Sequence, residues 1–243
     1  MQKGIYKEFT NGHKNLLDGQ VTVWYSNTIT GGRGEIRKKA IVFSLGFTER
    51  CEYRMWMIPG TVLPASRTEA QNIPQRLEAL FLGGGITLSQ VTAITGLETH
   101  TVQNWVKRGF LTSPVGKRYT LRQLCRILNI NVLRRCMSIE QVCGLLSYVN
   151  GDLSDESDDM IGDEELYFMF AKLAARMKEL YDPAAVENVL EGYLADYQEP
   201  IPGARERVRQ VLRIMLTAYL AARMMQETEK MLSALQFRKE RES

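Results

Sequence analysis

Apolar residues recur at intervals of three and four between residues 86 and 146, and polar residues mark the ends of four short helices. The first helix begins after Thr87, which stands three positions before Gln90 in a capping-box arrangement. Its apolar positions follow helical spacing: Leu88, Val91 and Ile94. Gly96 stands where a left-handed residue ends a helix. The pattern therefore predicts one helix between Thr87 and Gly96.

A second helix and a β-wing are predicted next. Thr99 is the N-cap candidate of this second helix. Val102, Trp105 and Val106 share one face of it, which predicts that Trp105 is a core residue. Two short helices across a three-residue turn make a helix-turn-helix. Gly109 ends the second helix, residues 110–111 are extended and apolar, and residues 114–116 have turn chemistry before a cationic returning strand at 117–119.

Two more helices complete this block. Thr120 caps a helix that carries Leu121, Leu124, Ile127 and Leu128, and Ser138 opens another that runs through Leu146. The predicted fold class is mainly α, with a winged helix-turn-helix followed by a C-terminal helical region. The predicted domains are an N-terminal extension at 1–62, the winged module at 63–150, an acidic linker at 151–165 and helices at 166–243.

Residues 86–146 resemble the MerR-type winged helix-turn-helix. The resemblance rests on Thr95-Gly96-Leu97, Thr101-Val102, Gly109-Phe110-Leu111 and Lys117-Arg118-Tyr119. It implies a dimeric DNA-binding regulator whose C-terminal helices sense an effector of unknown identity. The base preference does not transfer, because Gln103, Asn104 and Trp105 stand where MerR-like recognition helices have Arg and two Tyr.

A second resemblance covers more of the chain. The run at residues 145–159 resembles a bacterial family of unknown function, number 1836, and the similarity extends roughly from residue 64 to residue 235. This family implies no established activity.

Charge is polarised along the chain although its formal net value is only +3. Between residues 86 and 136, Glu98 is the one acidic residue against eight basic residues: Lys107, Arg108, Lys117, Arg118, Arg122, Arg126, Arg134 and Arg135. The segment 152–165 contains eight acidic residues and no basic one. Attraction to phosphate is therefore expected of the first block only.

The DNA contacts follow from the geometry of a helix-turn-helix. The N-terminal half of the second helix enters the major groove, so the base-edge candidates are Thr99, His100, Gln103 and Asn104. For His100, a solvent-facing position is an equal alternative. The candidates on the phosphate side are Lys107, Arg108, Lys117, Arg118, Tyr119 and Arg122. Double-stranded DNA is the predicted partner.

Catalytic, metal and cofactor sites are not predicted. His13 and His100 are the only histidines, and the segment 152–165 lacks the glycine that an EF-hand loop needs at its sixth position. The four cysteines have no C-x-x-C spacing, which favours reduced, buried thiols, three of them in helices (Cys125, Cys136 and Cys143). A redox pair of Cys136 and Cys143 is the alternative. We expect a protein that is not an enzyme.

Three C-terminal helices are predicted at residues 164–180, 183–197 and 204–237, with Asp163, Glu164 and Glu165 complementing the dipole of the first. The apolar stripe of the last helix is wider than a two-position coiled-coil face. Burial within the chain and a homodimer interface are both open. A third alternative is a ligand pocket lined by Met215, Met224, Met225 and Met231.

The first sixty residues are the least informative. Strands are predicted at 21–25 and 40–43 around a glycine-rich loop at 31–34, and Arg33, Arg37, Lys38 and Lys39 suggest a basic arm. No apolar run reaches the ~18 residues of a membrane span, which predicts a cytoplasmic, nucleoid-associated protein. The leading function is DNA-binding transcriptional regulation by a dimer. The alternative is a non-enzymatic adaptor in which the winged fold binds a protein.

Overall fold

The computed structural model describes residues 9–16, 19–29, 36–42, 56–153, 155–177 and 183–242. The first three ranges, residue 183 and residues 236–242 are described by their backbone alone. Contacts divide the chain into two compact units, Met1–Tyr53 and Arg54–Ser243.

The first unit contains a three-stranded antiparallel sheet in the order β1-β2-β3. Its strands are β1 (Phe9–Leu16), β2 (Gly19–Ile29) and β3 (Ile36–Val42). The two predicted strands are thus confirmed by β2 and β3, whereas β1 was missed because its Asn, Gly, His and Lys residues hide any apolar alternation. The predicted loop at 31–34 lies outside the described residues.

The second unit is mainly helical. It begins with a two-residue strand pair, β4 (Trp56–Met57) and β5 (Pro64–Ala65), and a short helix α1 (Ile73–Glu78) flanked by 3₁₀ turns. The next elements are β6 (Ile86–Thr87), α2 (Leu88–Thr95), α3 (Thr99–Lys107) and β7 (Arg118–Tyr119). The last five helices are α4 (Leu121–Leu133), α5 (Ile139–Asn150), α6 (Asp163–Arg176), α7 (Pro183–Leu194) and α8 (Ala204–Glu242).

The predicted helix starts are confirmed by their hydrogen bonds. Thr87, Thr120 and Ser138 each form a reciprocal capping box with the Gln three positions on, and Gly96 ends α2 at φ 71°. The N-cap of α3 is Glu98 and not Thr99, and Glu98 makes no side-chain capping bond. The helix therefore starts one residue earlier than predicted.

The returning strand pairs differently from the predicted hairpin. β7 pairs antiparallel with β6, with Ile86 opposite Tyr119. The Phe110 N–H donates to the carbonyl of Trp105 instead of to a strand partner, and within the predicted turn Arg118 makes a single antiparallel bridge with Val115. β7 is therefore joined to the strand that immediately precedes α2.

One hydrophobic core runs through the second unit from Trp56 to Leu220. α4 is at its centre, since all its residues from Gln123 to Ile130 are buried, and it packs against α6 and α8. Long-range hydrogen bonds join the start of the unit to its end, such as Trp56 Nε1 to the Tyr219 hydroxyl at 2.9 Å.

The three C-terminal helices are present, although α7 ends at Leu194 and α8 continues to Glu242. The face of α8 is buried as far as Ala222, whereas residues 224–226 and 228–235 are exposed. Among the described residues, no helix combines the length and apolarity that a membrane crossing requires.

Candidate nucleic-acid interface

The recognition candidate α3 has one buried and one exposed face. Val102 and Trp105 belong to the core, which confirms the prediction for Trp105. The polar residues predicted to contact DNA from this helix are all exposed: Thr99, His100, Gln103, Asn104 and Lys107. α3 therefore presents a continuous polar surface to solvent.

The turn between α2 and α3 is held in place by close packing. The Thr95 hydroxyl donates to the Val91 carbonyl and accepts from the Leu97 N–H, while Leu97 itself is buried. A Cβ on Gly96 would lie 2.7 Å from Val62 Cγ1, and the φ of Gly96 is in the left-handed region. The backbone conformation and the close approach of Val62 both favour glycine at this turn.

The cation at the end of α3 has only a surface partner. The Arg108 guanidinium donates to Glu140 at 2.6 Å and lies 4.6 Å from the centroid of the Phe110 ring. Both charged side chains are more than half exposed. Exposed ion pairs contribute ~0–1 kcal/mol, so Arg108 can exchange this carboxylate for a phosphate.

Two further cations, Lys117 and Arg118, lie at the start of β7. Lys117 is exposed and has a positive φ of 62°. The Arg118 guanidinium donates to the carbonyls of Gly84 and Gly85, at 3.3 and 2.9 Å. Arg118 is exposed and at the same time fixes the glycine-rich segment beside the wing.

Tyr119 is not where the sequence placed it. Its side chain is 3% exposed and belongs to the core, and burial raises the pKa of its hydroxyl. This corrects the expectation of an exposed contact. In β7 the neighbouring Arg118 points to solvent, and alternation along the strand therefore turns Tyr119 inward.

Arg122 is also not part of the exposed phosphate-binding surface that the sequence predicted. It pairs with Glu156 at 2.9 Å, Asp159 at 2.8 Å and Asp163 at 3.8 Å, and its side chain is only 17% exposed. Burial opposes its charge, but Coulombic attraction to these carboxylates raises the pKa of Arg122. The expected phosphate contact is corrected, because three carboxylates already surround this guanidinium.

A second arginine of α4 lies deeper in the same cluster. Arg126 pairs with Asp163 at 3.4 Å and donates from Nε to the Phe110 carbonyl at 3.2 Å. Burial raises the pKa of Asp163, against the opposing effects of Arg126 and Arg122. Asp163 is in the first turn of α6, as predicted, but its side chain pairs with α4. The sequence analysis identified the opposite charge of the two blocks but did not predict that they pair with each other.

The cysteines occupy three different environments. Cys125 is buried, which raises the pKa of its thiol well above the ordinary value, and Cys143 is half-buried. Cys136 is exposed in the turn after α4, so its predicted helical, buried position is wrong. Cys51 lies outside the described residues. No group of three or more His, Cys, Asp or Glu in the described ranges is arranged to hold a metal ion.

One family model and one curated protein are similar to this chain. The family model described as "Domain of unknown function (DUF1836)" matches residues 85–170, a shorter range than the expected 64–235. "Uncharacterized protein YkrK" of Bacillus subtilis (strain 168) is 23% identical over 158 residues, which cover 60% of this chain and 68% of that protein. No solved structure matches the chain. The matched range begins before β6 and ends within α6, and residues 85–170 are a DUF1836 domain.

Proposed function

We propose that this chain is a DNA-binding transcriptional regulator, acting as a dimer, whose MerR-like winged helix-turn-helix places α3 in the major groove. The observations that carry the proposal are the exposed polar face of α3, which includes Lys107, and the exposed Lys117 before β7. Neither lysine has an ion-pair partner among the described residues. A cytoplasmic, nucleoid-associated location is part of the same proposal.

The interface has two kinds of contact. Thr99, His100, Gln103 and Asn104 lie toward the start of α3, where a recognition helix contacts base edges. Gln and Asn pair bidentately with adenine. The phosphate-binding set is Lys107, Arg108, Lys117 and Arg118, all of them exposed. We leave Tyr119 and Arg122 out, because one is buried in the core and the other is held by carboxylates.

The dimer is supported by an apolar face of α8 that is exposed among the described residues of the second unit. Seven exposed positions alternate at intervals of three and four, and we call them the α8 seam: Ile214, Thr217, Ala221, Met224, Thr228, Met231 and Leu235. None carries a charge, and the Thr217 and Thr228 hydroxyls donate to carbonyls of their own helix. This spacing is that of a coiled-coil contact.

A second copy of the chain fits this surface. The seam begins beside an apolar groove of about 400 Å³ that includes Cys136, Met137 and Ile214. A single helix-turn-helix contacts few base pairs, and dimers gain specificity by binding two half-sites. We therefore propose a homodimer through the α8 seam. No catalytic role is proposed, since His100, the one histidine of the second unit, belongs to the exposed face of α3.

Fluorescence anisotropy of a random-sequence duplex over a salt series tests the proposal. Four phosphate contacts per protomer predict a slope of log K against log salt of about −3.6, or about −7 for a dimer. Lys107→Gln with Lys117→Asn should make the slope less steep by about 1.8 per protomer. Asn suits the positive φ of position 117.

The matched control is Lys172→Gln with Lys230→Gln, which removes two lysines of α6 and α8 and leaves α3 intact. It should bind as the wild type does. Equal losses in both double variants, or no binding of the wild type at low salt, would contradict the proposal. The protein-binding adaptor would then be the better interpretation.

A further inference from the structure

The side chain of Asn131, in the last turn of α4, is hydrogen-bonded to three other residues. Its amide nitrogen donates to two backbone carbonyls, that of Gly60 at 2.8 Å and that of Thr95 at 3.2 Å. Its Oδ1 accepts from Arg134 Nε at 3.1 Å. Both N–H groups and the carbonyl oxygen of this half-buried side chain are therefore used.

The two carbonyls belong to segments that meet beside the turn between α2 and α3. Thr95 is the last residue of α2. Gly60 lies in the loop between β4 and β5, and in the same loop the Val62 N–H donates to the Ile94 carbonyl at 2.9 Å. The bonds of Asn131 and Val62 therefore hold this loop against the C-terminal end of α2.

The loop between β4 and β5 is itself anchored in the helical core. The Pro59 carbonyl accepts from the Tyr167 hydroxyl of α6 at 2.8 Å, and Ile58 is fully buried. A Cβ on Gly60 would lie 2.7 Å from the Leu128 carbonyl of α4, and the φ of Gly60 is 75°. The loop therefore connects the end of α2 to α4 and α6.

A second connection reaches α3 through Arg134. The guanidinium of Arg134 lies 5.8 Å from the centroid of the Trp105 ring, which is buried on the core face of α3. A cation beside an aromatic ring is attracted by the negative potential of the ring face. Because Arg134 also donates to Asn131, one side chain of α4 acts on α2 directly and on α3 through this arginine.

We infer that Asn131 is a positioning residue, which holds the turn between α2 and α3 and so places α3 for DNA without contacting DNA itself. This role rests on the proposed function, because α3 is the proposed recognition helix. Without Asn131, the Gly60 and Thr95 carbonyls lose their shared donor, and the turn opens more readily. Lys107 at the end of α3 and Lys117 before β7 then no longer contact the same stretch of phosphates together.

Hydrogen–deuterium exchange of the full chain, without DNA, tests whether Asn131 holds the turn. Asn131→Ala should speed exchange of the protected amides of residues 95–102 about tenfold, as expected for two lost hydrogen bonds. Asn131→Asp keeps the size of the side chain and the acceptor for Arg134 but removes both N–H donors. It should have the same effect.

The matched control is Asn150→Ala. It removes another asparagine whose Nδ2 donates to a backbone carbonyl, that of Ile161, but it lies at the end of α5. Exchange at residues 95–102 should stay at the wild-type rate in this control, at a temperature where circular dichroism shows each variant folded. Unchanged exchange in the Asn131 variants, or equally faster exchange in the control, would overturn the role of Asn131.

Fluorescence anisotropy over a salt series supplies a readout that lost stability alone does not change. Both Asn131 variants should make the slope of log K against log salt less steep by about 0.9 per protomer, which corresponds to one phosphate contact. Asn150→Ala should keep the wild-type slope. Faster exchange combined with a wild-type slope would show that the turn does not place α3 for DNA. If the wild type binds no duplex, the proposed function fails, and the exchange rates still decide whether Asn131 holds the turn.

Discussion

Two pairs of cations come from one basic block of sequence but differ in their exposure to solvent. One pair is Arg122 and Arg126 of α4, and the other is Lys107 and Lys117. Arg122 and Arg126 are 17% and 4% exposed and are paired with carboxylates of residues 156–163. Lys107 and Lys117 are exposed and have no ion pair among the described residues. A run of basic residues therefore does not by itself define a phosphate-binding surface, because some of these residues form ion pairs with carboxylates in the folded protein.

The largest expected effect comes from breaking the buried pair of α4. Asp163→Asn leaves Arg126 without a carboxylate partner in the core, and removal of one member of a buried pair costs about 3–5 kcal/mol of unfolding free energy. Urea denaturation followed by circular dichroism measures this loss. Asp155→Asn, which changes an exposed acid of the same segment, should leave the free energy of unfolding close to the wild-type value. Similar losses in both variants would show that the pair is not special.

The next largest effect concerns the proposed dimer, which would double the number of exposed cations available to DNA. Met224→Lys with Met231→Lys places charges in the α8 seam and should raise the dimer dissociation constant at least about hundredfold, or about 2.7 kcal/mol. Sedimentation velocity over a concentration series measures it. Gln226→Lys with Ser233→Lys adds the same charges to exposed positions of α8 outside the seam. A wild type that sediments as a monomer at every concentration would remove the dimer from the proposal.

A smaller effect is the pH dependence of stability, which should differ between a buried and an exposed aspartate of the same segment. Burial raises the pKa of Asp159, so the folded state holds its proton more tightly than the unfolded state does. Its contribution to stability therefore falls as pH rises from the ordinary aspartate value toward the raised one. Hydrogen bonds from Ser157 lower the pKa of Asp155, whose contribution is instead lost as pH falls.

Carbon-detected NMR titration of the aspartate carboxyls checks this difference directly. Asp159 should titrate above, and Asp155 below, the range of unstructured aspartate. The stability of the wild type relative to Asp159→Asn should decline as pH rises through that window. Two carboxyls that titrate together would mean that Asp159 is not buried in solution.

The smallest expected effect tests directly whether Arg122 contacts DNA as Lys107 and Lys117 are proposed to do. Arg122→Gln should leave the salt slope of DNA binding within about 0.3 of the wild-type value, since this guanidinium is already held by carboxylates. Each lysine beside α3 should change the slope by about 0.9. Anisotropy at a temperature where circular dichroism shows both proteins folded makes the comparison. If Arg122→Gln made the salt slope of DNA binding less steep by about 0.9, Arg122 would have to be counted among the phosphate contacts.

Local signals in the sequence predicted most of the helices of the second unit. The hydroxyl residues Thr87, Thr120 and Ser138 located the starts of α2, α4 and α5, because a capping box is a contact within one turn of chain. The polar face of α3 was likewise visible, since helical spacing separates it from Val102 and Trp105.

Contacts between distant segments could not be predicted in the same way. The pairing of β7 with β6 joins residues about thirty positions apart, and the hairpin predicted in its place was the nearer alternative. The partners of Arg122 are more than thirty positions along the chain, and opposite charge alone does not specify which carboxylate meets which arginine.

The sequence by itself determined the order of the helices, the caps of α2, α4 and α5 and the polarity of the two charge blocks. Each of these depends on residues within a few positions of one another. Only the tertiary structure decided that Tyr119 is buried, that α4 loses its cations to the acidic segment and that α8 is covered only as far as Ala222. These outcomes depend on which surfaces pack together, and packing is a property of the whole core.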